Sequence, residues 1–212
     1  MTDDRSSMST AGFWDARYAR SDRIWSGEPN TTLIRETADL TPGTALDLGC
    51  GEGADAVWLA GRGWRVTATD VSRVALDRAA GHAAAAGVAD RIDWQRHDLA
   101  ESFPAGAFDL VSAHFLHSPG IPREQILRTA AAAVAPGGVL LVVGHAGPPP
   151  WEHGPEQEVD LPTPLELLAA LDLPRDRWEV LVSEEHERIQ QGPDGKPATR
   201  VDNTLGLRRL PG

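Results

Sequence analysis

Short apolar runs alternate along the chain with segments whose apolar residues recur at helical spacing. Five runs predict buried strands, at residues 44–48, 65–69, 92–95, 108–113 and 139–143. Three segments predict helices, at 54–61, from a cap at Ser72 to Ala86, and at 123–134. This alternation predicts βαβ units, hence a parallel sheet with helices on both faces.

The two ends of the chain follow other patterns. Residues 12–30 carry several aromatics and predict a short helix and an irregular stretch, after which Thr31 or Thr32 begins a helix that runs to Leu40. A Pro-, Gly- and Glu-rich loop is predicted at 147–164, followed by a helix at 165–171. The strand-like runs 178–189 and 201–210 are too close for a parallel crossover, so they predict an antiparallel hairpin.

Composition narrows the classes of partner. The 212 residues suit one domain, and their net charge of −11 disfavours nucleic acid or an anionic membrane surface as a partner. The single cysteine excludes an intrachain disulfide and suits a reducing compartment. The first ten residues lack an apolar signal region, and the longest apolar run, 139–143, is too short for a bilayer. We therefore expect a cytoplasmic protein.

The sharpest local motif is the glycine-rich turn Asp47-Leu48-Gly49-Cys50-Gly51-Glu52-Gly53, which follows a strand and opens a helix. Gly49, Gly51 and Ala54 fit the spacing of a dinucleotide-binding turn, so an NAD(P)-dependent oxidoreductase is one hypothesis. Asp47 favours another ligand, because a carboxylate pairs with an ammonium group and gains nothing from a phosphate. Asp70, at the end of the second strand, suits a ribose in either case.

Four motifs together resemble the class I methyltransferases that use S-adenosylmethionine (SAM). They are D-L-G-C-G-E-G, T-D-V-S after strand two, H-D-L after strand three, and F-D-L-V-S-A-H-F-L-H around strand four. The resemblance covers roughly residues 12–145, and the closing hairpin agrees with it. It implies an α/β, doubly wound, Rossmann-like fold of three αβα layers, with seven strands in the order 3-2-1-4-5-7-6 and strand seven antiparallel. It also implies SAM as the cofactor and S-adenosylhomocysteine as the product.

Residues 12–30 resemble the N-terminal lid of the tellurite-resistance and thiopurine types of this family. We therefore expect a tail and lid helices over 1–40, forming one folding unit with a SAM-binding domain over 41–212. The resemblance assigns the methionine part of SAM to the glycine turn, the ribose to Asp70, adenine to Val71, Asp98 and Leu99, and the SAM carboxylate to the lid. The candidate cofactor-binding residues are Arg17, Trp25, Asp47, Gly49, Cys50, Gly51, Asp70, Val71, Asp98, Leu99 and Ser112.

Three histidines are candidates for a catalytic base. His114 and His117 follow strand four and His145 ends strand five, so all three reach the carboxyl edge of the sheet, where ligands of such folds bind. The alternative for His117 is a structural role beneath the rim of the sheet. Trp151 and His153 either line the acceptor pocket or belong to a surface loop. The acidic run 184–187 predicts a solvated strand face and no metal site, because strand alternation divides its side chains between two faces.

The leading hypothesis is a methyltransferase that acts on a small molecule through a thiol or other chalcogen, or through an O or N nucleophile. The chain lacks the N/D-P-P-Y-type motif of adenine and amide-nitrogen methylators after strand four. An oxidoreductase and a non-catalytic SAM-binding module remain alternatives, although Tyr18 is the only tyrosine and no Tyr-x-x-x-Lys pair exists. As partners we expect a small-molecule substrate and, at most, a second copy in a homodimer.

Overall fold

A computed structural model describes residues 9–118, 120–148, 151 and 161–212. The strands in this described part are β1 (Thr44–Leu48), β2 (Arg65–Asp70), β3 (Ile92–Arg96), β4 (Phe108–His114), β5 (Val134–His145), β6 (Trp178–Gln191) and β7 (Pro197–Arg209). Its α-helices are α1 (Thr10–Tyr18), α2 (Thr31–Glu36), α3 (Ala54–Gly61), α4 (Arg73–Ala85), α5 (Arg123–Ala132) and α6 (Pro164–Leu171). The longest of them, α4, has 13 residues, and none is long and apolar enough to cross a bilayer.

The strands form one sheet in the order β3-β2-β1-β4-β5-β7-β6, which confirms the predicted topology. Neighbours from β3 to β5 are parallel, whereas β7 runs antiparallel to both β5 and β6. In this register Asp47 of β1 lies beside Ser112 of β4, and His145 of β5 lies beside Asp202 of β7. The carboxyl ends of β1, β4 and β5 therefore bring the candidate site residues to one edge of the sheet.

Apolar side chains cover both faces of the sheet. On one face, Leu46, Leu140 and Leu205 pack with α5 and α6. On the other face, Ala45 and Leu141 pack with α2 and α3. Because successive strand residues point to opposite faces, Asp47, Ser112, His145 and Asp202 share the second face with α2 and α3. That face is apolar along most of each strand and becomes polar at the carboxyl edge.

Two predicted boundaries around β5 are wrong. Helix α5 ends at Ala132 rather than Val134, and β5 begins at Val134, before Pro136-Gly137-Gly138. A register shift absorbs these residues, since Phe108 pairs with Val134 but Leu110 pairs with Val139. A Cβ at Gly138 would lie 2.9 Å from the carbonyl oxygen of Phe108. Glycine there lets the strand continue, so it does not act as the helix terminator that the sequence pattern indicates.

The start of α2 and its packing also differ from the prediction. Asn30, not a threonine, caps α2 by accepting a hydrogen bond from Thr32 N, and the helix ends at Glu36. The ring of His186 in β6 is within hydrogen-bonding distance of the hydroxyls of Thr32 (3.1 Å) and Thr204 (3.4 Å). The run 184–187 is therefore not simply a solvated face, because one side of it holds α2.

Leu33 is the apolar anchor of α2 on the sheet, and it is fully buried. Replacing it with alanine should lower the free energy of unfolding by about 2–4 kcal/mol, since buried leucines leave a cavity when truncated. Ile34, next in the same helix but 36% exposed, gives the matched control. Urea denaturation of the two variants should show a loss below about 1 kcal/mol for Ile34→Ala. Equal losses would contradict this packing of α2.

Candidate cofactor and acceptor site

The glycine turn connects β1 to α3 and is tied to β2. The backbone N–H groups of Gly49 and Cys50 both donate to the carbonyl oxygen of Thr69, at 2.8 and 3.0 Å. Gly51 has a φ of +54°, and a Cβ there would lie 2.9 Å from the Tyr18 hydroxyl. Position 51 therefore requires glycine, both for its conformation and for the close approach of the N-terminal segment. Cys50 is half-buried, and burial raises the pKa of its thiol.

Asp47 carries a buried carboxylate with one free acceptor oxygen. The residue is 2% exposed, and its Oδ1 accepts a hydrogen bond from Ser112 Oγ at 3.3 Å. No described residue hydrogen-bonds its Oδ2. Burial raises the pKa of Asp47 to about 7 and repulsion by Asp55 adds to the effect, while His114 and Ser112 oppose it. Such an oxygen is expensive to bury unless a ligand supplies a donor, and an ammonium group would do so.

His114 lies close by and is paired with an acid from α3. Its Nδ1 is 2.7 Å from Asp55 Oδ2, and Asp55 Oδ1 accepts a hydrogen bond from Asn30 N at 2.6 Å. The Nε2 atom of His114 is buried, and no described side chain or backbone group bonds to it. Because a carboxylate accepts the Nδ1 hydrogen, Nε2 of the neutral ring is a second unused acceptor.

Asp70 closes the turn from the side of β2. Its oxygens accept hydrogen bonds from Gly51 N at 2.9 Å and Ser72 N at 2.8 Å. Burial raises the pKa of Asp70, although these backbone bonds oppose the shift. Ser72 caps α4 through Ala75 N, which confirms the predicted cap. Each Asp70 oxygen keeps a second lone pair, so the carboxylate can still accept from a diol.

The expected adenine contacts lie beyond the neighbouring strand ends. Val71 follows β2, and its carbonyl accepts a hydrogen bond from Arg96 Nε at 3.0 Å. Asp98 Oδ1 accepts a hydrogen bond from Ala100 N at 3.1 Å. The side chain of Leu99 packs against the apolar cluster beneath β4 and β5. The parallel pairing of β2 and β3 ends at Asp70 and Arg96, so Asp98 and Leu99 lie two and three residues beyond that pair.

Glu52 fastens the N-terminal segment over the turn, a role that the sequence analysis missed. Its Oε2 accepts hydrogen bonds from the backbone N–H groups of Ile24 and Trp25, both at 3.2 Å. Its Oε1 forms an ion pair with Arg78 of α4 at 3.0 Å. The only signal in the sequence was a charged residue between two glycines, which does not reveal a partner thirty residues away.

The predicted lid residues meet directly above the glycine turn. Trp25 Nε1 donates to the Tyr18 hydroxyl at 3.0 Å, and burial raises the pKa of that hydroxyl above its ordinary range. The Arg17 guanidinium lies 5.8 Å from the centre of the Trp25 ring and 5.5 Å from that of Trp14. Asp15 accepts a hydrogen bond from Ser72 Oγ at 2.6 Å and so fixes α1 to the start of α4. Trp25 itself is 47% exposed.

A second polar cluster lies at the ends of β5 and β7. His145 Nδ1 is 2.8 Å from Asp202 Oδ1, and Arg188 Nε donates to Asp202 Oδ2 at 2.5 Å. His117 Nε2 accepts the backbone N–H of His145 at 3.3 Å, and the two rings stack with centroids 5.1 Å apart. Burial, with smaller contributions from nearby cations, lowers the pKa of His117 to about 4. This geometry favours the structural role for His117.

Of the two loop candidates, Trp151 and His153, the structure describes Trp151. Trp151 is half-buried and packs near Gly192 in the β6–β7 turn. His153 lies outside the described residues. Among the described residues, no group of three His, Cys, Asp or Glu side chains is arranged to hold a metal ion.

Comparison with known proteins agrees with this geometry. Residues 45–138 match the family model described as "Methyltransferase domain". Methyltransferase GfsG from Streptomyces halstedii is 32% identical over 139 residues, which is 62% of this chain and 48% of that protein. Probable thiol methyltransferase 2 from Arabidopsis thaliana is 26% identical over 78% of this chain and 79% of its own length. The chain thus spans about half the length of GfsG.

Solved structures share the fold. The structure described under "Conversion of a Disulfide Bond into a Thioacetal Group during Echinomycin Biosynthesis" superposes with a TM-score of 0.73 at 24% identity, over 95% of this chain and 92% of the other. TehB from Haemophilus influenzae superposes with a TM-score of 0.66 at 17% identity, over 95% and 67% of the respective chains.

The sheet order and the glycine turn after β1 match the Rossmann-like methyltransferase fold. Together with the match of residues 45–138 to a methyltransferase domain, they support the resemblance to class I SAM-dependent methyltransferases read from the motifs. SAM is the cofactor of this family, and the residues fit it. Gly51 lets Tyr18 and Trp25 approach the turn, and the buried Oδ2 of Asp47 has no described hydrogen-bond donor, which the ammonium group of SAM would supply.

The raised pKa of Asp47 makes a prediction about stability. The carboxyl group has a pKa of about 7 in the folded protein but close to 4 when unfolded, so the parent loses stability as the pH rises from about 4 to about 7, and the loss is complete above pH 7. Asp47→Asn should therefore unfold with a free energy on the order of 1–3 kcal/mol higher than the parent at pH 8 without ligand. The difference should shrink as the pH falls from about 7 towards about 4, because the folded parent is then protonated and the unfolded parent becomes so. Denaturation at both pH values checks this, and a variant less stable at pH 8 would refute it.

The anchoring role of Glu52 makes a second prediction. Glu52→Gln removes the charge that holds Arg78 and weakens the acceptor for Ile24 N and Trp25 N. Amide hydrogen exchange at residues 24 and 25 should become about tenfold faster, while exchange in β1 stays unchanged. Glu101→Gln, an exposed acid past β3, is the control. Unchanged protection at residues 24 and 25 in Glu52→Gln would show that this acid does not hold the segment.

Proposed function

We propose that the chain binds SAM at the glycine turn and transfers its methyl group to a small-molecule nucleophile. The observation that carries this proposal is the buried Asp47 oxygen without a described hydrogen-bond donor, at the carboxyl end of the central strand. When bound, SAM supplies a methyl group on a positively charged sulfur. The residues of the chain hold and orient that group and shield it from water.

The SAM ammonium group has three hydrogens to donate, and two buried acceptors await them. Asp47 Oδ2 and His114 Nε2 are both buried and bonded to no described residue, and His114 lies close enough to act on the pKa of Asp47. His114 is therefore proposed as a ligand of the amino-acid end of SAM rather than as a base, with Asp55 holding its ring. Ser112 fixes the other oxygen of Asp47.

The rest of the cofactor falls to the neighbouring strand ends and the lid. Asp70 is proposed to accept hydrogen bonds from the ribose hydroxyls, with Val71, Asp98 and Leu99 around adenine. Arg17 is exposed beside Trp25, where a guanidinium can pair with the SAM carboxylate. The Tyr18–Trp25 hydrogen bond above Gly51 closes the turn against solvent.

The same carboxylate argues against a dinucleotide. An oxidoreductase would place a pyrophosphate over the turn, near the buried acids Asp47 and Asp70 and the half-buried Asp55. Like charges repel strongly where water is scarce, so these acids disfavour the NAD(P) alternative. A non-catalytic SAM-binding module would keep the same cofactor contacts, and methyl release separates it from an enzyme.

For the acceptor, a thiol or other chalcogen is favoured over O and N nucleophiles. The support is the similarity to a probable thiol methyltransferase over about four fifths of both chains. A thiol also suits the mechanism, because a fraction is already ionised near neutral pH. We propose a cytoplasmic enzyme, monomeric or homodimeric, that does not act on nucleic acid, since a net charge of −11 repels a phosphate backbone.

Calorimetry with SAM, S-adenosylhomocysteine and NAD tests the cofactor. At pH 8, SAM should bind and NAD should not, and Asp47→Asn should weaken SAM binding by about 100-fold. Because SAM requires the ionised Asp47, the parent's affinity should also fall by up to about tenfold per pH unit below pH 7. Asp109→Asn is the control, since Asp109 bonds Thr44 N at the opposite end of the sheet.

Methyl release in a panel of thiols, phenols and amines tests catalysis. Turnover of at least one thiol, with S-adenosylhomocysteine as the co-product, is expected. Tight SAM binding without turnover of any acceptor would instead favour the binding module, and NAD binding in place of SAM would overturn the proposal.

A further inference from the structure

We propose that His145 takes the proton of the methyl acceptor and that Asp202 positions it for this task. The acceptor would then be a weak acid, either a thiol or a phenol-type hydroxyl. This inference rests on the proposed methyl transfer and deepens it. It draws on the polar cluster that joins β5 and β7 at the carboxyl edge of the sheet.

The pairing of His145 with Asp202 is built into the sheet. The two residues are directly opposite each other in the β5–β7 ladder, which brings their side chains together on the face of α2. Asp202 is fully buried. Burial alone would raise its pKa, but the hydrogen bonds from His145 and Arg188 outweigh this and lower it. Asp202 is therefore a carboxylate, held as an ion in the interior.

The hydrogen bonds of Asp202 determine which nitrogen of His145 can act as a base. Both Asp202 oxygens are occupied, one by His145 Nδ1 at 2.8 Å and one by Arg188 Nε at 2.5 Å. A carboxylate can only accept, so His145 carries its hydrogen on Nδ1 and presents a lone pair on Nε2. No described residue forms a hydrogen bond with that Nε2, and the side chain of His145 is 18% exposed. A buried carboxylate behind a partly exposed imidazole is a base with its orientation set.

Two neighbouring rings also hold the His145 ring. Phe115 stacks on His145 with centroids 4.4 Å apart, and the centroid of the His117 ring lies 5.1 Å from that of His145. Phe115 adopts a φ of +51°, a conformation that costs a bulky residue free energy. The Arg188 guanidinium lies 5.4 Å from the Phe115 ring and so links this stack to Asp202. The strained backbone at Phe115 thus places its ring against the ring of His145 at the end of β5.

Burial and the surrounding cations keep the His145 ring neutral. Burial lowers its pKa, and Arg200 of β7 and Arg188 of β6 act in the same direction, whereas Asp202 opposes them. His117, from the loop after β4, is itself kept neutral by burial and by cations that include Arg123. A neutral imidazole of lowered basicity is ready to accept a proton at pH 7 but is a weak base. It therefore suits an acceptor whose proton is itself acidic, such as a thiol or a phenol.

Proton transfer precedes methyl transfer. The acceptor X–H, with X sulfur or oxygen, gives its proton to His145 Nε2, and the electron pair of that bond stays on X. The imidazolium is stabilised by Asp202, and X then bonds the methyl carbon while the former carbon–sulfur pair remains on sulfur. His145 later returns the proton to solvent.

Nitrogen NMR of the histidine-labelled protein with S-adenosylhomocysteine bound tests the geometry without turnover. The His145 signals, assigned by their loss in His145→Gln, should show a protonated Nδ1 and an unprotonated Nε2 at pH 7.5. In Asp202→Asn, Arg188 should keep the amide oxygen, so the amide NH2 group faces His145. The ring should then switch to the other tautomer, with hydrogen on Nε2. A parent ring with hydrogen on Nε2, or an Asn variant with the parent's tautomer, would overturn the assignment.

Methyl transfer to benzenethiol, phenol and benzylamine then tests the role. His145→Gln and Asp202→Asn should each lower kcat by about 100- to 1,000-fold with the thiol or the phenol, whichever reacts, and leave SAM affinity within twofold. Added imidazole should restore part of the activity of His145→Ala but not that of Asp202→Asn. The thiol and phenol arms distinguish sulfur from oxygen as the acceptor atom, and turnover of benzylamine alone would overturn the acidic-acceptor inference.

His186→Gln is the matched control, because both ring nitrogens of His186 face threonine hydroxyls and neither is available as a base. It should change kcat by less than about threefold. If SAM binds and methyl transfer proceeds equally in the parent and in His145→Gln, this inference fails while the proposed function stands. If SAM does not bind to the parent, the proposed function fails first.

Discussion

Acidic side chains buried at the carboxyl edge of the sheet impose the main constraint on this structure. Asp55 and Asp70 lie close enough to Asp47 to raise its pKa, and burial is the main cause of the raised pKa of Asp47 and of Asp70. Water would hydrate these groups in an unfolded chain, so the folded protein must compensate them. Backbone N–H groups satisfy Asp70, and His114 with Asn30 satisfies Asp55. Asp47 keeps one oxygen without a described partner, and the proposed cofactor site is organised around it.

The N-terminal segment belongs to the same electrostatic arrangement. Glu52 binds the backbone at Ile24 and Trp25, while Arg78 neutralises its charge. Asp15 binds the start of α4, where free N–H groups and the helix dipole favour a negative charge. The segment is thus held by acids that accept from backbone groups rather than by an apolar interface alone. Such contacts can be exchanged for others at modest cost, which suits the predicted role of the segment as a lid.

Two histidine–aspartate pairs occur at this edge, and their surroundings give them different roles. His114–Asp55 is enclosed next to Asp47, with its second ring nitrogen buried, which suits a ligand for a cation. His145–Asp202 lies two strands further along, partly exposed and stacked on Phe115, which suits proton transfer. In our proposals, the same pair of residue types therefore serves binding in one position and chemistry in the other. Burial of the free ring nitrogen is the property that separates them.

From the sequence by itself, strand and helix periodicity predicted the elements, and the spacing of Asp47, Gly49, Gly51 and Asp70 predicted the cofactor turn, because these are local signals. The resemblance of the motifs to class I methyltransferases implied the sheet order, which the structure has. Contacts between distant segments could not be read in this way. Glu52 meets its lid partners across nearly thirty residues, and His145 meets Asp202 across 57. The end of α5 was also misjudged, since Gly138 serves the approach of β5 to β4 rather than a helix end. Tertiary packing decided these points, because the energy of a buried charge depends on neighbours that only the folded chain brings together.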